Sequence, residues 1–508
     1  MRTTLVQLLM AALFAALAGC APSPAPATPS PAVKAPTLKP ELVLSPIPIE
    51  LPPPTPVELH TPASPAGRFA NCVITEQASP GNLRLVWIQT GDLWVWDRGE
   101  AEPYSLTATA DVAAVRLAPD AETVAYTRQT ASGPELWAVD ILGTHLRQLA
   151  GGPELYGTIE FQSFSPDGQL LAFSHRLPGQ GGELWVAGLD GTGVRLLVSH
   201  ADLEALVDGT WADVAAPANV TWTPNTHTLT YDAGPGFEEQ GIWPYTQRQV
   251  RLVDADTGTQ EVLFGPGEGG QVQYSPDGAT MAVITPESLR FMDLETGSVQ
   301  TADVQFFAAG AGEGYAYPSM VWTPDSQALL LAQPIDDSEV TDADLPVVIW
   351  RVPRDGSPAI ELAEFTGFVP SFEFSPDQAK IAYWRPVPPQ SNTRELHITT
   401  LDGSTHIVYD TGVELDFLGW APDSQEFVYS SAGFPGDTRL ANLCGDPVSL
   451  GLDYRPARLN WSDPNHIILE RGRQAAFELY LVVAGSPELV LNPESFGGYD
   501  FALVAPEG

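Results

Sequence analysis

The sequence predicts an all-β fold, a single β-propeller of four-stranded antiparallel blades. Three observations predict it: a Pro-Asp punctuation that recurs along the chain, strand-like apolar runs on both sides of each copy, and no long helical periodicity. The clearest copies are FSPDGQLLAFS around Pro166 and Asp167, YSPDGATMAVI around Pro276 and Asp277, WTPDSQALLLA around Pro324 and Asp325, and FSPDQAKIAYW around Pro376 and Asp377. Weaker copies sit at Pro119, Pro224, Pro422 and Pro464, and successive prolines lie 42 to 58 residues apart. That spacing suits a blade of about 40 to 50 residues better than a helical solenoid repeat.

Within a copy, the residues before Pro form a first strand, as at Val220 to Trp222, Ser319 to Trp322 and Phe417 to Trp420. Pro fixes φ and ends the ladder, Asp caps the turn through its side chain, and Gly168 or Gly278 supplies the positive φ that starts the second strand. Leu170 to Phe173 and Met281 to Ile284 are such second strands. Third strands follow at Glu135 to Asp140, Glu183 to Gly188 and Val347 to Arg351, short and rich in β-branched or aromatic residues. Turns at Asp190 to Gly193, Asp254 to Gly258, Asp355 to Gly356 and Asp402 to Ser404 lead into fourth strands such as Arg195 to Val198. The Pro-Asp aspartates are therefore turn builders and not catalysts. Trp222, Trp322, Trp420 and Trp461 close first strands, while Trp94, Trp137, Trp185 and Trp350 share third-strand places, so both sets are expected to pack between blades.

Before the first full repeat, Leu83 to Ile88, Asp92 to Asp97 and Tyr104 to Leu106 resemble strands two, three and four without a first. At the far end, Tyr499 to Gly508 resembles a lone first strand. Pairing the two ends completes one shared blade and leaves no open edge. The count is eight or nine blades, according to whether one weak repeat is an insertion. Phe69 to Thr75 is the alternative source of the missing strand.

Residues 1–19 have a basic start and an apolar run too short to cross a bilayer of about 30 Å, as in a signal peptide. The run ends in Leu17-Ala18-Gly19-Cys20, which resembles a bacterial lipobox and implies lipidation of Cys20. Residues 20–68 are dominated by Pro, Ala, Ser and Thr and form an extended tether, followed by the propeller over 69–508. At about 3.1 Å per residue such a tether reaches on the order of 100 Å. The expected location is thus outside the cytoplasm, lipid-anchored to a bacterial membrane. Cys72 and Cys444 are a possible disulfide or two free thiols. A formal charge of -39 argues against nucleic acid as a partner and against direct adhesion to anionic lipid, leaving the lipid as the sole membrane contact.

The Ser-Pro-Asp-Gly hairpins at 165–168 and 275–278, the Leu-Trp third strands and the Asp-Gly turns resemble the PD40 repeat, the WD40-like repeat of TolB-type propellers. The same repeat occurs in the propeller domains of prolyl oligopeptidase and dipeptidyl-peptidase relatives. The resemblance covers about residues 80 to 508 and implies the fold; propellers host many functions. No Gly-x-Ser-x-Gly elbow accompanies it, and a proline tether stands where TolB carries an α/β domain.

Turns between strands one and two, and between three and four, share one face of the propeller and are short. Length varies in the other class, at 200–218, 234–249, 333–346, 386–393 and 433–437, where binding loops are expected. Trp211, Phe237, Trp243 and Tyr245 are aromatics there that the repeat does not fix, and they are the candidate ligand contacts. Asp336, Asp337, Glu339, Asp342 and Asp344 form an acidic loop able to offer oxygens to a divalent cation, though without calcium-loop spacing. His145, His175, His200, His227, His397, His406 and His466 are scattered without metal-ligand spacing. The expected function is a non-enzymatic recognition or scaffold module for a protein or polymer ligand. The alternative is an exported hydrolase or lyase with acid and base at the channel mouth.

Overall fold

The computed structural model describes residues 83–97, 102–152, 157–176, 181–207, 215–235, 249–306, 309–311, 314–335, 345–368, 371–387, 390–431, 436–452, 456, 458–463, 466–473, 476–483, 486–491 and 496–504. All fall within the compact unit Thr61–Gly508. Nine four-stranded antiparallel sheets form the blades of a β-propeller, which settles the count at nine. Blades 1 to 8 begin with the first strands Val112–Leu117, Thr158–Phe164, Ala215–Trp222, Gln271–Tyr274, Ser319–Trp322, Glu373–Phe374, Leu415–Trp420 and Arg458–Asp463. The ninth is the shared blade: Phe496–Leu503 pairs antiparallel with Leu83–Gln89, Leu503 opposite Leu83 and Tyr499 opposite Trp87.

The punctuation works through a hydroxyl. Ser165 Oγ donates to Asp167 Oδ1 at 2.6 Å and accepts the Leu170 amide at 2.9 Å, so the small residue before Pro ties the turn to the second strand. Ser275, Thr323 and Ser375 repeat both bonds. Two of the weak copies, with Ala118 and Ala421 at this place, have no hydroxyl to do so. The residue after Asp has φ near 70° at Gly168 and Gly278, and Ala121, Ser326, Gln378 and Ser424 adopt the same left-handed region without glycine's freedom. At Gly278 a Cβ would lie 2.9 Å from Pro224 Cβ, so glycine there also serves close packing of neighbouring turns.

Blades are joined by tryptophan. Trp222 Nε1 donates to the Ser163 carbonyl at 3.1 Å, Trp322 to Gln273 at 3.3 Å and Trp420 to Glu373 at 3.1 Å, each reaching the first strand of the preceding blade. Third-strand Trp137 and Trp185 donate instead to Glu135 and Glu183, two residues back on their own strands. Their rings pack into the clusters shared with the preceding blade. Among the described residues nine apolar clusters occur, one at each of the nine interfaces around the ring. The last joins Ile468, Leu479 and Leu481 of blade 8 to Leu83 and Phe501 of the closing blade. Burial of side chains this size stabilises by about 1.5–3 kcal/mol each, so closure by the C-terminal strand secures two interfaces at once.

Two segments differ from expectation. Residues 386–393, expected as a loop, largely continue the second and third strands of blade 6: a bulge at Pro386 and Val387 keeps the ladder intact, with Pro386 opposite Arg394. The 200–218 connection contains a short helix, His200–Glu204, which forms because Ser199 and Asp202 make a capping box. A two-stranded hairpin, Ala309–Ala311 with Gly314–Ala316, separates blades 4 and 5.

Candidate functional site

First strands from four blades converge on one cavity of about 540 Å³. Its walls come from residues 113–116 of Val112–Leu117, from the early residues of Thr158–Phe164, Arg458–Asp463 and Phe496–Leu503, from the second strands Thr123–Thr130 and His466–Arg473, and from Pro134. First strands start, and second strands end, away from the Pro-Asp turns. The cavity therefore lies towards the opposite rim, at the inner edge of the blades.

Its chemistry rests on Arg116, Glu160, Arg458, Glu470 and Tyr499. Glu470 is buried; the Tyr499 hydroxyl donates to its Oε2 at 2.9 Å, and Arg458 Nε stands 4.0 Å from the same oxygen. Burial, then the Glu470 charge, pushes the Tyr499 phenol well above its usual range, so it keeps its proton and acts as a donor. Glu160 accepts from Arg176 Nε at 2.9 Å. Asp500, on the closing strand between the two arginines, accepts the Leu117 amide at 2.8 Å and its neighbour Phe501's at 2.9 Å, and burial raises its carboxyl.

A second cavity, about 400 Å³, lies between blades 6 and 7. Trp384 there is stacked on Phe368 at 4.3 Å and carries Arg394 over its ring at 3.9 Å. Arg394 also donates to Asp416 Oδ1 at 3.0 Å and to the Leu415 carbonyl at 3.2 Å. Its guanidinium is thus committed inside the protein. Glu373 lines the same space, its carboxyl raised by burial.

Trp211, Phe237, Trp243 and Tyr245, the acidic loop Asp336 to Asp344, and Cys20 and Cys72 lie outside the described residues. Cys444, in the turn after Asp437–Asn442, is in a disulfide whose partner also lies outside them. Among the described residues no group of three or more His, Cys, Asp or Glu is placed to hold a metal. His397 Nδ1 and His406 Nε2 do meet at 2.7 Å across the Asp402 turn, a pair not anticipated from sequence. The cavity residues were not anticipated either. The available signal was position: three residues before Pro, Ser163, Thr221 and Gln273 are neutral, whereas Arg116 and Glu373 carry charge.

Fold and cavity together define the class, a nine-bladed β-propeller with a cavity among its first strands. Among solved structures the chain is similar to a eukaryotic initiation factor over 84% of this chain and 100% of that one, at 12% identity and a TM-score of 0.55. It is also similar to an oligogalacturonate lyase from Vibrio parahaemolyticus (72% and 98% covered, 13% identity, TM-score 0.34) and to TolB from Acinetobacter baumannii (65% and 64% covered, 15% identity, TM-score 0.23). At these identities the likeness speaks to the propeller fold alone. No family model and no curated protein matches the chain.

Proposed function

We propose that the protein is an extracytoplasmic recognition module, held to a membrane by lipid on Cys20, that binds a protein or polymer ligand at the rim opposite the Pro-Asp turns. The observation that carries this reading is the position of the 540 Å³ cavity: most of its lining lies on strand ends away from the Pro-Asp turns. Trp211 and Trp243, on connections of that same class, are proposed to extend the contact. Among the described residues no helix is long and apolar enough to cross a membrane, so the proposed attachment rests on the lipobox. Probing immobilised glycans and peptides with the purified protein tests the site. Ala113→Trp, which fills the cavity from an exposed wall position, should abolish capture while leaving the melting temperature in place. Capture unchanged by Ala113→Trp would remove the cavity from the reading.

One observation favours the hydrolase or lyase alternative: Glu160, Glu470 and the proton-holding Tyr499 share the cavity. Release of products from a captured polymer or peptide, lost in Glu470→Gln, would establish it.

A further inference from the structure

An account of donors and acceptors narrows the ligand, given that the cavity is the binding site. Its carboxylates are already occupied. Glu470 has Tyr499 and Arg458, and Glu160 has Arg176. The arginines are less so. Arg116 lines the cavity, is exposed, and makes no hydrogen bond or ion pair among the described residues. Arg458 touches Glu470 only at 4.0 Å and leaves 74% of its side chain open to solvent. A guanidinium offers five N–H donors and accepts nothing, so the charged capacity left over in this cavity is cationic, beside the neutral side chains of Thr127, Gln129 and Thr158.

This is unusual in its setting. The chain carries 63 acidic against 24 basic residues, so two solvent-exposed arginines on one cavity run against the field of the whole protein. In the cavity between blades 6 and 7 the corresponding cation, Arg394, is consumed by Asp416, Leu415 and Trp384. The difference lies in what is left for a ligand.

We propose that the cavity binds an oxyanion-bearing unit, with carboxylate as the leading chemistry, through Arg116 of blade 1 and Arg458 of blade 8, which flank the closing strand Phe496–Leu503. The rest of the protein repels anions at long range. Recognition is therefore local, and screening by salt strengthens the approach of the ligand while weakening the contact itself. A carboxylate can arrive as a free organic acid or as part of a chain, and the cavity volume admits a single small unit at a time.

Calorimetric titration of the full chain with citrate, with a glutamate hexamer and with inorganic phosphate tests this. At least one should bind, and Arg116→Gln or Arg458→Gln should each weaken it by about tenfold or more, the range for losing a charge-assisted hydrogen bond. Citrate alone binding would assign a free acid; the hexamer alone would assign a chain-borne carboxylate; phosphate alone would replace carboxylate by a phosphoryl group. No binding by any of the three, or binding indifferent to both substitutions, overturns the inference. The two levels separate cleanly: a neutral ligand whose capture is lost in Ala113→Trp but unchanged in both Arg→Gln variants keeps the site and removes the anion.

Discussion

The two rims of the propeller treat charge in opposite ways. At the Pro-Asp rim each carboxylate is used by its own turn and often by the next blade as well. Asp167 takes the Ser165 hydroxyl, the Gln169 amide and His227 Nε2; Asp277 takes Ser275, Ala279 and Arg354; Asp377 takes Ser375, Ala379 and Lys380. The Ser165 hydroxyl, then the Gln169 amide, with His227 adding a smaller share, hold the Asp167 carboxyl at about 2. In the cavity, most of whose lining lies towards the other rim, Arg116 makes no hydrogen bond or ion pair among the described residues and Arg458 only approaches Glu470 at 4.0 Å. Repeated residues solve the same backbone problem in turn after turn. Residues that break the repeat are the ones with hydrogen-bonding capacity to spare.

The largest effects should come from the repeated set. Trp420 is buried, packs on Phe417 and Phe427, and staples blade 7 to the Glu373 carbonyl. Trp420→Ala should cost about 3–5 kcal/mol in denaturant unfolding, the usual loss for a buried large aromatic. Trp461 occupies the same place in blade 8, but its indole nitrogen has no hydrogen-bond partner among the described residues. The difference between Trp→Phe at the two sites therefore isolates the interblade hydrogen bond, about 1 kcal/mol. Equal losses at both sites would reduce the staple to packing alone.

Next come the turns. Gly168→Ala and Gly278→Ala both force a side chain into the left-handed region, a penalty of about 1 kcal/mol. At position 168 the nearest atom to the new Cβ is Pro119 Cδ at 3.6 Å, ordinary contact, whereas at 278 it is Pro224 Cβ at 2.9 Å. Gly278→Ala should consequently be the worse of the two by a further ~1 kcal/mol. Equal losses would mean that the neighbouring turn gives way freely and that the Pro-Asp rim is less rigid than its packing implies.

The histidines test the electrostatic side through pH. His227 lies on the Pro-Asp rim, its pKa raised by Asp167, then by Asp256. Its contribution is present below the unfolded value of about 6.5 and is lost as pH rises through the higher folded value. His397 behaves with the opposite sign. Burial first, then His406 and Arg385, lower it to about 3, so its neutral form is favoured and stability falls as pH drops from about 6.5 towards 3. The groups facing it are His406, Glu395, Tyr383 and Arg385. Melting temperature against pH should lose its downward slope above neutrality in His227→Gln and its acid-side slope in His397→Phe. A wild-type profile flat from pH 4 to 8 would set aside both assignments.

How legible each part was follows from range along the chain. The hydrogen bonds that shape the Ser165 to Leu170 turn lie within six residues, so the motif shows its geometry in the sequence. Closure was legible too, because three strands at one end lacked the one found at the other. The cavity was not. Arg116, Glu160, Arg458, Glu470 and Tyr499 come from four blades, and only the closed ring brings the last three beside the first two. The His397 and His406 pair shows the intermediate case: nine positions apart, joined by the register of a hairpin that places Thr399 opposite His406.

The smallest expected effect bears most directly on the contrast between the rims. Arg116 is exposed and makes no hydrogen bond or ion pair among the described residues, its charge only partly offsetting the effect of burial on the Asp500 carboxyl, so Arg116→Gln should change stability by no more than about 0.5 kcal/mol. A slight loss at low ionic strength is expected, since removing a positive charge from a chain at -39 adds to its self-repulsion, and salt should erase it. Arg354→Gln, which frees Asp277 and Thr280 on the Pro-Asp rim, should cost more at every ionic strength because it leaves acceptors without their donor. A larger loss for Arg116→Gln than for Arg354→Gln, undiminished by salt, would make Arg116 part of the scaffold and dissolve the distinction between a saturated rim and an available one.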